Sequence, residues 1–417
     1  MLMTILALLI ALVMFFLTPP AIDFEALHLT VIFLVGGTSV FLATIFLNTL
    51  ILIPLGQLEQ KLIPNLMDFI RRDKSLRIGR SFLFLFSLVS YLCVAFVSRI
   101  ENVYYQDWFF LVWLVFFGMA LDVFRDNWHR LVNLLNPSFL VDQFSKDAIH
   151  AIQNDQRNLL MSNLDTLAEI GVRSVEKSKL ALSTQTLQTF PPILQTFFNS
   201  SKSIGHLTRE PTKELGIGSG DAANFTVFYL LQRLELINDK ALRDRLESVC
   251  RQMIMVMGKI IVHCAQYDLS MVAFPTHFLT KFGLKAQQHH FDEVAVLTTS
   301  TLLEISRTIL TEIDVTYAEL QDAFRAIING LEAIAKGTFK KQKNTSIKVL
   351  VQPFIDLKGF FQTEKMAHHR DTPVIVQEID RVLDEFSVLE QVMQVIPPIP
   401  DFETPETPAP TQPPTMI

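Results

Sequence analysis

The sequence predicts an all-α fold, with four transmembrane helices followed by a cytoplasmic helical domain of αα-hairpins, solenoid-like or an irregular bundle. Three observations predict it. Half of the 417 residues are hydrophobic, 34 of them Phe, and mean hydropathy is +0.32, more apolar than a soluble chain of this size. Before residue 128 the apolar residues gather into four runs, at 2–17, 29–55, 82–98 and 108–124. After it they recur at three- and four-residue steps, the spacing of an amphipathic helix. The divisions are therefore a transmembrane domain over 1–128, a helical domain over 129–396 and a proline-rich tail over 397–417.

The first run, LMTILALLIALVMFFL, is read as a retained span or a signal-peptide core. No Lys or Arg precedes it and Thr18-Pro19-Pro20-Ala21 is no small-x-small cleavage site, which favours the span. The second run, 29–55, is long enough to cross a bilayer with tilt, and Pro54 is expected to end or bend it. Gly37, Thr44 and Asn48 lie on one face of that helix. Small and polar residues so placed form a packing seam between helices or the face of a pore. The third and fourth runs are about as short as a span allows. Tyr104, Tyr105 and Trp108 at one end and Trp128 beyond the other match interfacial aromatic belts. Asp122, beside Arg125, is expected to be a paired or snorkelling carboxylate.

The loop 56–80 sets the topology. It carries Lys61, Arg71, Arg72, Lys74, Arg77 and Arg80 against Glu59, Asp68 and Asp73, while the loops at 18–28 and 99–107 are not basic. Basic residues flanking a span resist translocation, so both chain ends are expected on the cytoplasmic side of the cell (inner or plasma) membrane.

Beyond Trp128, 163–190 reads as a helix, a break at Ser178-Lys179 and a second helix interrupted by Pro191-Pro192. Related apolar patterns at 253–279 and 302–328 align Leu164 with Met253 and Leu302. They suggest a hairpin unit of roughly 40–50 residues, with a degenerate copy at about 205–250. Ser346 to Val351 is the one strand candidate, and Asp221 is expected to cap a helix from Ala222. The tail carries P-x-x-P spacings from Pro405 and Pro410.

Chemistry-bearing motifs are sparse. Gly216, Gly218 and Gly220 lack the preceding strand and the GK[ST] of a phosphate loop. His289-His290 and His368-His369-Arg370 are adjacent pairs, which diverge by about 100° on a helix and rarely serve one ion. Cys93, Cys250 and Cys264 have no metal or disulfide spacing. The net charge of −6 gives no basic field for nucleic acid. No cofactor, metal or catalytic residue is expected.

The segment 155–190, chiefly LDTLAEIGVRSVEKSKLAL, resembles a family of predicted four-span bacterial membrane proteins of unknown function with a helical cytoplasmic domain. That family has a Ser-Pro-x-x-Asn-Asp-Pro signature here, where this chain has Ser174-Val175-Glu176-Lys177. The resemblance implies the same layout and no activity. The expected function is a membrane-anchored interaction scaffold or adaptor for an unidentified cytoplasmic protein. The alternative is an oligomeric channel or transporter with a cytoplasmic gating domain. The bilayer is the expected lipid partner in both, and a homo-oligomer fits either.

Overall fold

Four antiparallel helices stand on one end of a two-layered stack of helix pairs, and the two parts share a core. A computed structural model describes residues 2–17, 26–64, 66–97, 99, 103–205, 219–341 and 346–395. Among these, all regular structure is helical. The tail 397–417 lies outside the described residues.

The bundle contains α1 (Leu2–Leu17), α2 (Ala26–Lys61), α4 (Lys74–Val97) and α5 (Val103–Leu134), with the short α3 (Leu66–Arg72) between α2 and α4. The α5 helix packs against the other three long helices, and α2 packs along α4. Trp113 fixes the centre. Its ring lies 5.0 Å from Phe33, 5.8 Å from Phe86 and 5.1 Å from Phe117, and its Nε1 donates to Ser90 Oγ at 2.9 Å. Gly118 lets α1 approach α5, since a Cβ there would stand 2.6 Å from that of Ala7. Asp122 then holds the first turn of α1, accepting from the Thr4 amide at 2.8 Å, the Thr4 hydroxyl at 2.6 Å and the Met3 amide at 3.2 Å. Arg125 pairs with the same carboxylate at 3.3 Å.

The helices outrun their apolar runs. The α2 helix continues through Pro54 to Lys61, so Pro54 does not end it. The 56–80 segment is therefore not a loop: it is the end of α2, all of α3 and the first two turns of α4. The α5 helix passes through the 128/129 division to Leu134. Three bundle helices, His28–Lys61, Lys74–Val97 and Trp108–Leu134, are long and apolar enough to cross a membrane. The α1 helix has 16 residues, about 24 Å at the helical rise. A fourth helix of sufficient length and hydropathy is Glu247–Tyr267, but 61% of its apolar window is buried, against 28%, 33% and 22% for the other three. It is the core helix of the second part.

That part is a solenoid-like stack of helix pairs. Its helices are α6 (Pro137–Gln153), α7 (Arg157–Glu176), α8 (Leu180–Gly205), α9 (Ser219–Arg243), α10 (Glu247–Tyr267), α11 (Ala273–Gln288), α12 (Asp292–Glu312), α13 (Gln321–Lys341), α14 (Ile347–Phe361), the single turn α15 (Glu364–Ala367) and α16 (Thr372–Val395). One layer stacks α6, α8, α10, α12 and α14 in order, and the other stacks α7, α9, α11, α13 and α16. The repeat expectation needs one correction. Leu164 lies on α7, in the second layer, whereas Met253 and Leu302 lie on α10 and α12, in the first. The aligned patterns were apolar faces of alternate layers, which look alike because both point into one core.

Other expectations also change. Pro191 and Pro192 lie inside α8, and the 346–351 segment opens α14 rather than forming a strand. Asp221 sits within the first turn of α9, which begins at Ser219. The break at Ser178-Lys179 is present, and its geometry recurs. Asp155, Ser178, Arg245 and His290 each follow a helix with φ between 51 and 67°. In each turn the next amide bonds a carbonyl five residues back, from Gln156, Lys179, Leu246 and Phe291 at 2.8–2.9 Å. This is the Schellman closure, which usually carries glycine at the left-handed residue.

The joint between the two parts is apolar. Leu62, Ile63, Leu66, Ile70 and Leu76 are at most 4% exposed and share one cluster with Leu131, Leu134, Leu140 and Phe144. The rings of Phe69 and Phe144 lie 5.0 Å apart. Arg173 of α7 donates to the carbonyls of Glu59 and Gln60 at 2.9 and 3.3 Å, serving acceptors that the end of α2 leaves open.

Two outcomes are expected. Leu66→Ala costs about 2–5 kcal/mol, as full burial implies, read as a lower midpoint in chemical denaturation of the detergent-solubilised chain. His290→Gly gains about 1 kcal/mol by removing a Cβ from a left-handed residue, read as a higher midpoint in the same assay.

Candidate interaction surfaces

The polar residues singled out on α2 make contacts within the bundle. Gly37 lies against α4, where a Cβ would stand 2.7 Å from that of Ser90. The Thr44 hydroxyl donates to the Val40 carbonyl at 2.7 Å, and Asn48 Nδ2 donates to the Thr44 carbonyl at 2.9 Å. Ser87 and Ser90 likewise donate to carbonyls four residues back. In an apolar setting a hydroxyl with no other partner turns to its own helix.

The six basic residues gather at one end of the bundle. Lys61 ends α2, Arg71 and Arg72 end α3, and Lys74, Arg77 and Arg80 occupy the first turns of α4. All but Arg80 are exposed. Among the described residues, the one ion pair made by this group is Arg71 with Asp68, at 3.8 Å. Tyr105 and Trp108 at the start of α5, and Trp128 near its end, are all exposed.

The second layer of the solenoid is laced by charge. Asp165 pairs with Arg233 at 2.6 Å, Glu235 with Lys281 and Lys285 at 2.6 and 2.8 Å, and Glu332 with Arg381 at 2.9 Å. Each pair joins neighbouring helices of that layer and fixes their register. Amid them lies a cluster of rings. Phe225 and Phe228 of α9 and Phe274 of α11 are 53%, 39% and 40% exposed. Phe228 and Phe274 lie 5.5 Å apart, and Phe274 lies 5.2 Å from Phe278. Exposed rings grouped in this way are unusual on a soluble face and characterise interaction surfaces. Their three-residue spacing, Phe225-x-x-Phe228, was visible in the sequence. Only the stacking of α9 on α11 brings Phe274 to them. On the first layer, a groove of about 700 Å³ opens between α12 and α14, with Val296, Leu303 and Val349 on its walls.

The histidine motifs have structural roles, and Gly216 and Gly218 lie outside the described residues. His289 caps α11 and His290 is its left-handed turn residue. Asp292 and Glu293 fall in the first turn of α12. His369 bonds the Val315 carbonyl through Nε2 at 3.0 Å and accepts from the Asp371 amide at Nδ1. No group of three potential metal ligands occurs among the described residues. All three thiols are buried, and burial pushes Cys250 and Cys264 up to about 12, which keeps them protonated.

Asp371 is fully buried and ties the last hairpin to the one before it. It accepts from the Leu320 amide at 2.8 Å, from Gln321 at 3.3 Å and from Arg370 at 3.1 Å. Burial pushes its carboxyl up, but the Leu320 amide, Arg370 and Gln321 together hold it below its ordinary 3.8.

No family model matches the chain, and no curated protein matches it. It is similar to one solved structure, a circular tandem repeat protein with novel repeat topology and enhanced subunit contact surfaces. The identity is 13%, covering 88% of this chain and 98% of that one, with a TM-score of 0.24. A superposition that poor carries no argument about function.

Asp371→Ala leaves the buried Leu320 amide without its acceptor, at a cost of about 1–3 kcal/mol. A depressed folded pKa stabilises fully above the unfolded value and is lost as pH falls through the folded one. The gap in thermal midpoint between the parent and Asp371→Ala is therefore expected to be constant above pH 3.8 and to narrow below it, as followed by circular dichroism.

Proposed function

We propose that the chain is a multi-pass membrane protein that holds a helical solenoid at the cytoplasmic face as an interaction scaffold. The observation that carries this reading is the outward surface of the bundle. Leu42, Phe46, Ile53, Phe84 and Phe96 are 57–62% exposed, and they lie on helices whose inner faces are already packed. Such a surface is costly in water and favourable in hydrocarbon. The basic cluster at the solenoid end supports placing that end, and with it the solenoid, in the cytoplasm. The apolar joint supports a fixed rather than tethered attachment. The ring cluster at Phe225, Phe228 and Phe274 is the surface proposed for a cytoplasmic protein partner.

The channel alternative requires polar groups aimed at a shared lumen. Thr44 and Asn48 are bonded to their own helix and Gly37 is packed on Ser90, which supports the scaffold over the pore. Homo-oligomers remain compatible with the scaffold, since repeated copies would multiply the docking surface.

The native thiols are buried, so single introduced cysteines report topology. Tyr105→Cys is expected to react with a membrane-impermeant maleimide applied to intact cells. Ser300→Cys is expected to react only after lysis. Labelling of position 300 in intact cells overturns the topology, and recovery of the chain in the soluble fraction overturns the membrane reading.

A further inference from the structure

We propose that the start of α4 and the apolar face beyond it bind one anionic phospholipid. Its headgroup sits among Arg71, Arg72, Lys74 and Arg77, and an acyl chain lies along α4 as far as Leu88. The inference rests on the membrane reading above and specifies a lipid class for it.

Four cationic side chains occur within seven residues, and all are exposed. Arg72, Lys74 and Arg77 make no ion pair among the described residues, and Arg71 meets Asp68 only at 3.8 Å. Asp73, the one carboxylate inside the group, is engaged elsewhere. It caps α4, accepting from the Ser75 amide at 2.9 Å and the Leu76 amide at 3.3 Å. Within 68–77 the four cations face two carboxylates, Asp68 and Asp73, so a net positive charge is left over. A net negative headgroup offsets it.

The second observation is independent of charge. Ile78, Phe84, Leu85 and Leu88 continue along α4 and are 67%, 57%, 55% and 49% exposed. Ile78 to Leu88 spans about 15 Å at the helical rise. That is half of a hydrocarbon core of about 30 Å, the depth of one leaflet. Phe41 of α2 walls this face, its ring 6.4 Å from that of Phe84. Charge followed by apolar surface along a single helix matches an amphiphile with a negative head. A free phosphate would need only the first part, and an acidic protein segment would not need the second. A zwitterionic lipid carries its own cation and gains less from the arginines.

The test uses the full chain purified from membranes and incubated with equimolar phosphatidylglycerol and phosphatidylcholine. Native mass spectrometry counts the lipids retained. The expected result is one phosphatidylglycerol held in preference. Each basic residue near an anionic surface contributes about fivefold in affinity. The Arg72→Gln/Lys74→Gln/Arg77→Gln variant is therefore expected to lose the preference by about tenfold or more. Lys177→Gln/Lys179→Gln, on the solenoid, is expected to leave it intact. Phe84→Asn/Leu88→Asn is expected to weaken retention with the charges in place. If that variant binds as the parent does, the headgroup alone is recognised and the lipid site is overturned. Equal retention of both lipids by the parent, or undiminished preference in the triple variant, also overturns it. Release of the chain from membranes by alkaline carbonate overturns the membrane reading instead, so the two failures are distinguishable.

Discussion

The apolar joint between bundle and solenoid is the constraint on which the other features depend. Leu62, Ile63, Leu66, Ile70 and Leu76 are buried against Leu131, Leu134, Leu140 and Phe144 in a single cluster. Each such side chain contributes about 1.5–3 kcal/mol relative to exposure. Several acting together make one orientation of the two parts far more stable than a free hinge. The carbonyls at the end of α2 are then met by Arg173, a solenoid residue, so even the helix terminus is completed across the joint. A flexible linker would leave the basic residues of 61–80 as a mobile loop. The joint instead holds them in fixed positions around the base of the bundle.

The solenoid extends this rigidity. A helix pair cannot bury both of its faces alone, so each hairpin uses its neighbours. Here the first layer is joined mainly through apolar faces, as in the complete burial of Met253, Ile254, Met257, Ile260 and Ile261 along α10. The second layer adds ion pairs between successive helices. Partly exposed pairs of this kind contribute little stability each. Their effect is on register, since Glu235 reaches both Lys281 and Lys285 only where α9 and α11 keep one relative height. That register is what brings Phe274 beside Phe228.

Helix content, the helices at the four apolar runs and the break at Ser178-Lys179 were legible in the sequence, because each rests on local periodicity or polarity. Their extents were not. Pro54, Pro191, Pro192 and Pro353 all lie inside helices. An interior proline costs about 3 kcal/mol and one hydrogen bond. The burial of Leu187, Phe190, Ile193 and Leu194 on both sides of the α8 pair, each at most 2% exposed, outweighs it. The other turns were hidden for a different reason. A helix end is ordinarily sought through glycine, yet the left-handed residues there are Asp155, Arg245 and His290. Without that punctuation the alternate layers could not be told apart, and Leu164 was matched to helices of the wrong layer. The candidate site fared similarly: the basic residues were visible, but their attachment to a buried joint was not, since Leu62, Ile63, Leu66 and Ile70 read as ordinary loop residues between charges.

The division of polar groups between the two parts bears on function. In the bundle, the hydroxyls of Thr44, Ser87 and Ser90 all donate to carbonyls four residues back, and Ser90 also accepts from Trp113. Asp122 serves the first turn of α1 and Arg125. These groups are satisfied inside a single copy, as the proposed hydrocarbon surroundings would require. A polar path between copies would have to break such bonds before it could bind an ion or a solute. The solenoid differs, because its rings at Phe225, Phe228 and Phe274 keep 39–53% of their surface exposed among the described residues. Binding a partner there would bury apolar surface without dismantling an existing contact. The energetic asymmetry therefore supports the proposed reading, in which the bundle anchors and the solenoid recognises.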